Sequence, residues 1–297
     1  MLLKVVMIII ICLVILYFLA IMPRMTGKAA SESITSHVLY AHRGLHDNNS
    51  DAPENSMAAF RKAVDAGYGI ELDVQLTKDG VPVVFHDFTL ARVARYDGDI
   101  PSDAVKNDDG SIGVAGKVID YTYEELQNFH LLNSEEKIPR FEDFLNMVDG
   151  RVPLIVELKI EMFDLSVCPK ADALLRNYKG VYCIESFNPL GVRWYRKNHG
   201  DVMRGQLSEE FFHEMDKVMH TPMYYALAFL LFNFWTKPDF VAYNHHHAFN
   251  ISRKLCHGLY HNVAAAWTIR SQEELDNNID NFDVFIFEGF IPAVKSR

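Results

Sequence analysis

The chain has 297 residues, 49% of them hydrophobic, and a formal net charge of -10. That length supports a sizeable core in one large domain or two small ones. The acidic balance, with no basic stripe able to neutralise a run of phosphates, argues against a nucleic-acid partner, so any phosphate recognition must be local.

Leu2 to Met22 is apolar apart from Lys4 and ends at Pro23-Arg24. Such a run is long enough to cross a hydrocarbon layer about 30 Å thick. It is longer than a usual signal h-region, and the small pair Ala29-Ala30 lies well beyond it. We therefore read residues 1–23 as an uncleaved, single-pass anchor in the cell membrane rather than a signal peptide. Lys4 and the amino terminus on one side balance Arg24 and Lys28 on the other, so charge bias does not assign the side. Residues 24–36 read as a linker and 37–297 as one domain.

Strand-like and helical patterns then alternate. Val38–Ala41 reads as a strand, Ser56–Ala66 as a helix, and Gly69–Val74 and Val81–His86 as strands. An Asp- and Gly-rich segment through about Gly116 reads as irregular, followed by helical stretches near Tyr123–Phe129 and Phe141–Val148. Six more strand-like runs follow at Val152–Leu158, Val181–Glu185, Val202–Gln206, Phe240–Tyr243, Ala264–Thr268 and Val284–Phe287. Repeated β-then-α order implies a mainly parallel sheet.

Nine strand-like runs are one more than a (β/α)₈ barrel needs. Thr77-Lys78-Asp79-Gly80 is too short for a parallel crossover. Val81–Phe85 should therefore fold back antiparallel on Gly69–Val74, leaving eight strands to close a TIM barrel. Cys12 lies in the apolar run, and Cys168, Cys183 and Cys256, with no CxxC spacing, read as buried free thiols.

The chemistry is concentrated early. Glu71 and Asp73 alternate along a strand and so share one face. Two carboxylates on one face repel unless a cation sits between them, and hard oxygen donors suit Ca²⁺ or Mg²⁺. Glu157 and Lys159 repeat the spacing on another strand, where the glutamate could complete a three-carboxylate site and the lysine bind an anion. An exposed sheet face, or a surface salt bridge, would explain each pair taken alone. In a parallel barrel, however, functional groups gather at the carboxyl ends of strands, where both pairs sit. His42 and His86 also end strands beside polar neighbours, Arg43 and Asp87. Two imidazoles can serve as general base and general acid across a phosphorus centre while a cation and a guanidinium stabilise the added charge.

The segments AHRGLHDNNSDAPENSMAAF, GIELDVQLTKDGVPVVFHDFTLARV, IPRFEDFL, LIVELK, ESFNP and AAWTI, in this order, resemble the glycerophosphodiester phosphodiesterase family from about Val38 to Pro292. The resemblance implies a TIM barrel that hydrolyses glycerophosphodiesters to sn-glycerol 3-phosphate and an alcohol with a divalent cation. By motif match it makes His42 and His86 the acid/base pair, Glu71, Asp73 and Glu157 metal ligands, and Arg43 and Lys159 phosphate contacts. Asn55 matches a family Glu-Asn pair near the metal, with a helix N-cap as the alternative. Trp267 matches a site-lining aromatic, with a buried core tryptophan as the alternative.

The last strand, IFEGFIP, departs from the family's usual Gly-Ile-Ile-Thr-Asp-like ending, which puts substrate contacts there in doubt. His245-His246-His247 reads as loop or surface histidines, with metal ligation as the alternative. Met223–Trp235 is apolar but too short to span a bilayer, so it is either a buried helix or an element dipping into the membrane surface. The substrate expected first is a small glycerophosphodiester, with lysophospholipids or glycerophosphate polymers at the membrane as alternatives. A catalytically silent barrel acting as a binding protein is the rival from another class.

Overall fold

The computed structural model describes residues 1–26, 32–35, 39–96, 104–106, 112–213 and 220–293. Val38 and much of the expected linker lie outside these. The strands are β1 (Leu39–His42), β2 (Gly69–Leu76), β3 (Pro82–Val84), β4 (Ala94–Tyr96), β5 (Ala104–Lys106), β6 (Ile112–Val114), β7 (Phe129–Leu131), β8 (Leu154–Leu158), β9 (Tyr182–Ser186), β10 (Arg204–Ser208), β11 (Phe240–Asn244), β12 (Val263–Ile269) and β13 (Val284–Phe287). β1, β2 and β8 to β13 pair in parallel, and β13 returns to β1, which closes an eight-stranded barrel. β3 lies antiparallel on β2, so the short Thr77–Gly80 connection makes the expected hairpin.

Alternation along each strand sorts the side chains. Ile70, Leu72 and Val74 of β2 face the outer layer of helices, as do Leu154, Val156 and Leu158 of β8. In that layer Ser56 caps the helix Met57–Asp65 by accepting from the Ala59 amide at 3.1 Å. Phe60 of this helix meets Phe144 edge-on with ring centroids 4.5 Å apart. The other parity points into the barrel, where Tyr40, Ile155, Cys183, Phe240, Val284 and Ile286 form an apolar floor. Gly205 belongs to this floor because a Cβ there would lie 2.2 Å from the Phe240 ring. On β1, β8 and β9 the inward position two residues further along turns polar: His42 after Tyr40, Glu157 after Ile155, Glu185 after Cys183. Apolar floor and polar mouth thus follow from one alternation with a change of composition at the carboxyl ends.

Within the segment expected to be irregular, the described residues include three short strands, β4, β5 and β6. β4 pairs with β7 and β5 with β6, both antiparallel. Phe85, Leu90, Val93, Val118, Phe129 and Ile138 bury a second, smaller core beside the barrel. The helix expected near Tyr123–Phe129 stops at Leu126, after which Phe129 enters β7. The Asp- and Gly-rich stretch hid short strands, of which β4 pairs with the distant β7 while β5 and β6 pair with each other.

The helix Leu2–Ile21 (α1) is long and apolar enough to cross a membrane, and Leu2 to Leu16 are all exposed. Its last turn packs on the barrel. Tyr17 Oη lies 2.7 Å from Ser252 Oγ, Asn233 Nδ2 donates to the Ile21 carbonyl at 3.1 Å, and Lys237 Nζ donates to the Met22 carbonyl at 3.0 Å. Arg24 Nη1 then donates to the Gly200 carbonyl at 2.8 Å and lies 3.3 Å from Asp239. The apolar run Met223–Trp235 is neither one buried helix nor wholly exposed. It is split into helices Pro222–Ala228 and Asn233–Thr236, with Leu230 left-handed between them. Ala228, Leu230 and Asn233 are buried, Met223, Tyr225 and Phe234 exposed, and Asn233 holds the end of α1. Cys168, Cys183 and Cys256 are buried free thiols.

Candidate active site

The carboxyl end of the barrel gathers His42 from β1, Glu71 and Asp73 from β2, Glu157 from β8 and, just past its end, Lys159. Ligand oxygens of Glu71, Asp73 and Glu157 all lie within 4.8 Å of one another, and all three residues are buried. Lys159 Nζ sits 2.9 Å from Glu157 and 3.6 Å from Asp73. Arg43 donates to Glu54 at 2.7 Å, and its Nε is 3.5 Å from Asp73. Gly44 follows with φ 84, and a Cβ there would lie 2.9 Å from the Ala59 backbone, so the turn after His42 requires glycine.

Asn55 donates to Asp73 at 3.0 Å from a left-handed backbone, φ 56. It is not the helix cap, which is Ser56. Asn55 therefore orients one of the three carboxylates. Trp267 ends its inward row at the mouth, half-buried and edge-on to Phe187 at 5.4 Å.

Burial, then the Asp73, Glu185 and Glu157 carboxylates, push Glu71 well above the usual carboxylate range. Glu157 is raised by burial in spite of Lys159 beside it. Asp73 goes the other way: burial opposes its charge, but His86, Lys159 and Arg43 together hold it well below the usual range. Among the described residues, four buried carboxylates, Glu185 included, face two largely buried cations, Arg43 and Lys159. Asp73 Oδ1 and Glu185 Oε2 are buried acceptors without a hydrogen-bond donor among the described residues. A hard divalent cation fits this donor set, since it answers both the repulsion and the unmatched oxygens.

Both histidines have Nδ1 engaged by a carboxylate: His42 by Glu288, and His86 by Asp87 at 2.5 Å. Each ring therefore presents Nε2 as its free nitrogen, and that of His42 lies 3.8 Å from Glu71. Burial, with Arg43 adjacent, lowers His42 to about 4 against the opposing pull of Glu288, so its ring is neutral near pH 7. Burial would raise Asp87, yet hydrogen bonds from His86 and Arg92 bring it to about 2. Arg92 also makes two 2.7 Å bonds to Glu54. A chain His86–Asp87–Arg92–Glu54–Arg43 thus joins the second imidazole to the guanidinium at the first. Gln75, inward on β2, fixes the root of His86 by donating to the carbonyls of Phe85, His86 and Asp87 at 2.8, 3.1 and 2.7 Å.

His42, Arg43, Asn55, Glu71, Asp73, His86, Glu157 and Lys159 gather about this mouth, with Trp267 at its edge. Sequence reading missed Glu185, Glu288, Arg92 and Gln75 as members. Glu185 and Glu288 stand where Glu157 stands, at the inward position ending a barrel strand or one residue past it, so the alternation that selected Glu157 could have selected them. The unusual IFEG ending of the last strand supplies Glu288. His245 is buried, His246 exposed, and with Glu274 they form a second group able to hold a metal ion, beyond the end of β11.

The model of the "Glycerophosphoryl diester phosphodiesterase family" matches residues 42–256. A glycerophosphodiester phosphodiesterase of Bacillus altitudinis is 35% identical over 130 residues, covering 41% of this chain and 44% of that protein. One from Caldanaerobacter subterraneus is 32% identical over 168 residues, covering 54% of this chain and 62% of its own length. The matched stretch thus spans about half the length of such relatives. A putative glycerophosphoryl diester phosphodiesterase of Silicibacter pomeroyi shares the fold with TM-score 0.65 at 19% identity, covering 84% of this chain and 89% of that one. A phosphodiesterase of Oleispira antarctica, solved with the product sn-glycerol-3-phosphate, gives 0.62 at 20% identity, covering 84% and 92%.

Proposed function

The chain belongs to the glycerophosphoryl diester phosphodiesterase family, and from that footing we propose that it hydrolyses glycerophosphodiesters to sn-glycerol 3-phosphate and an alcohol. The observation that carries the reading is the pair of imidazoles, each tethered at Nδ1 by a carboxylate, beside a buried carboxylate trio and two cations. Glu71, Asp73 and Glu157 would hold Ca²⁺ or Mg²⁺, which when bound neutralises phosphate charge and makes phosphorus more electrophilic. Arg43 and Lys159 bind the non-bridging oxygens. Neutral His42 takes a proton at Nε2 from the neighbouring glycerol hydroxyl as it attacks phosphorus, with Glu288 holding the resulting imidazolium, and water then opens the cyclic phosphate left by the departing alcohol. His86, tethered by Asp87, gives a proton to the departing alcohol oxygen. Asn55 positions Asp73, and Trp267 lines the mouth. The helix α1 anchors the enzyme in a membrane, a reading supported by its length and by the docking of its last turn on the barrel.

The test is release of glycerol 3-phosphate from glycerophosphocholine with Ca²⁺, Mg²⁺ or EDTA, for the unmodified protein and His42→Ala. Cation-dependent release that falls at least about a hundredfold in His42→Ala is expected, the usual effect of removing a general acid or base. Equal background release from both proteins would leave a binding protein in place of an enzyme.

A further inference from the structure

The docked end of α1 fixes which way the barrel faces. The helix Ile251–Gly258 leaves the carboxyl end of β11 and leads to the start of β12, so it runs from the mouth to the opposite end. α1 runs beside it in the same sense. Tyr17 meets Ser252, Ile21 meets Cys256 one turn further down, and Arg24 reaches Gly200 and Asp239, which precede β10 and β11. The unpacked part of α1, Leu2 to Leu16, therefore rises past the mouth and not past the far end.

Its length adds a second constraint. Fifteen residues at 1.5 Å each reach about 22 Å, whereas a hydrocarbon layer is about 30 Å thick. The apolar helix Leu2–Ile21 continues through the docked turn, which brings the neighbouring flank of the barrel to the edge of the layer. That flank is suited to it. Phe249 and Ile251, at the mouth end of the neighbouring helix, are 76% and 57% exposed, and Met223 on the other side of α1 is 57% exposed. Tyr17, Tyr225, Ala226 and Phe229 line an apolar groove between them. Around the rim, the loop after β8 presents Met162 and Phe163, 74% and 80% exposed, three residues past Lys159. The far end beside α1 instead carries Arg24, Arg196 and Lys237. The most exposed apolar side chains, Phe163 and Phe249, stand at the mouth end, whereas Val181 and Leu259 at the far end are less exposed and share it with those cations, a gradient that matches a surface lying with its mouth in the interfacial zone.

We infer that the mouth of the barrel faces the bilayer from which α1 emerges, with Phe163, Phe249 and Ile251 seated in the leaflet, and that the enzyme takes a single-chain glycerophospholipid directly from that leaflet. The inference rests on reading α1 as a membrane anchor and the mouth as a phosphodiesterase site. It places the phosphodiester of a lipid headgroup at the depth of Lys159 and Arg43 while its acyl chain stays in the hydrocarbon, so no water-filled transfer is needed.

The experiment uses the full chain with Cys12→Ser, carrying an environment-sensitive fluorophore at Phe163→Cys, Phe249→Cys, Asp149→Cys or Val181→Cys, in phosphatidylcholine vesicles with lipid-borne nitroxides. Quenching at 163 and 249, with none at 149 and 181 at the far end, is expected. Quenching at 149 and 181 instead, or at no site, overturns the orientation whatever the activity. In a second arm, Phe163→Ser with Ile251→Ser should lower kcat/KM for vesicle-borne lysophosphatidylcholine about tenfold, the partition value of a large apolar side chain, and leave soluble glycerophosphocholine unchanged. An equal effect on both substrates, or none on the lipid, overturns the leaflet route. Failure of the unmodified protein to cleave either substrate refutes the phosphodiesterase reading and the leaflet route with it, while the quenching still decides the orientation.

Discussion

Glu288, one residue past the last barrel strand, hydrogen-bonds Nδ1 of His42 at the end of the first, so the two edges that close the barrel also build the tethered imidazole. Arg270 holds the other oxygen of Glu288 at 2.7 Å. Burial opposes the Glu288 charge, yet His42 and Arg270 bring its pKa to about 2, so it is ionised wherever the enzyme works. Glu288→Gln keeps the shape and removes the charge. It should lower kcat about ten- to a hundredfold with little change in KM, as loss of an orienting partner does. The pH at which His42 loses its proton should also move down, visible as a shifted limb in the pH–rate profile. An unshifted profile would mean that Glu288 only fills space.

Asn55 and Ser56 are neighbours with separable roles. Ser56→Ala removes the helix cap and should cost about 1 kcal/mol of stability, read as a lower urea midpoint, with activity retained. Asn55→Gly keeps the left-handed backbone but frees Asp73, so activity and cation affinity should fall while the midpoint changes little. The reverse pattern would return Asn55 to the cap.

Without a cation the carboxylates of Glu71, Glu157 and Glu185 repel. Ca²⁺ or Mg²⁺ should therefore raise the melting temperature, by about 2.7 kcal/mol of added stability at a hundred times the dissociation constant. Glu71→Gln relieves the repulsion, so in EDTA it should melt above the unmodified protein and respond weakly to cation. Scanning calorimetry of the four samples decides this, and a chain indifferent to cation would refute the metal reading.

Gln75 carries three carbonyls on one amide. Gln75→Leu strands buried or half-buried acceptors and should cost about 1–3 kcal/mol. Because those carbonyls set the root of His86, kcat should drop as well. Denaturant titration beside steady-state kinetics measures both, and a loss of stability alone would remove Gln75 from the positioning of His86.

The ion pairs of Arg92 with Glu54 and Asp87 give an acid dependence of known sign. Burial opposes both carboxylate charges, but the partners depress both pKa values, Asp87 from 3.8 to about 2. Their contribution is complete above the unfolded values near 4 and is lost as pH falls towards 2. Glu71, Glu157 and Glu185 titrate in the opposite sense, so the informative comparison is with Arg92→Ala at each pH. The gap in urea midpoint between the two proteins should be present at pH 6 and shrink by pH 3. Arg92 is half exposed, which keeps the gap to about 1 kcal/mol.

The barrel was legible because alternation and βα order are local signals, and the short Thr77–Gly80 turn identified the hairpin. His42, Glu157 and Lys159 were legible because they sit at or just past strand ends, and Glu71 and Asp73 because they alternate on one face of β2. The small strands β4 to β7 were not, since each is only three residues long, and β4 and β7 are also distant from one another in the chain. Glu288 and Arg92 were hidden for a related reason: their partners, His42 and Glu54, lie 246 and 38 residues away in sequence.

The second apolar cluster, from Val83 to Ile138, has His86 at its root, whereas His42 belongs to the barrel wall. The two imidazoles are thus mounted on separately packed bodies that meet along a seam stitched by Gln75 and by the Arg92–Glu54 pair. Their spacing behaves like that of two blades on one pivot. Sequence drift in the smaller body can reshape the substrate's surroundings while the barrel stays intact, provided that the seam keeps its stitches.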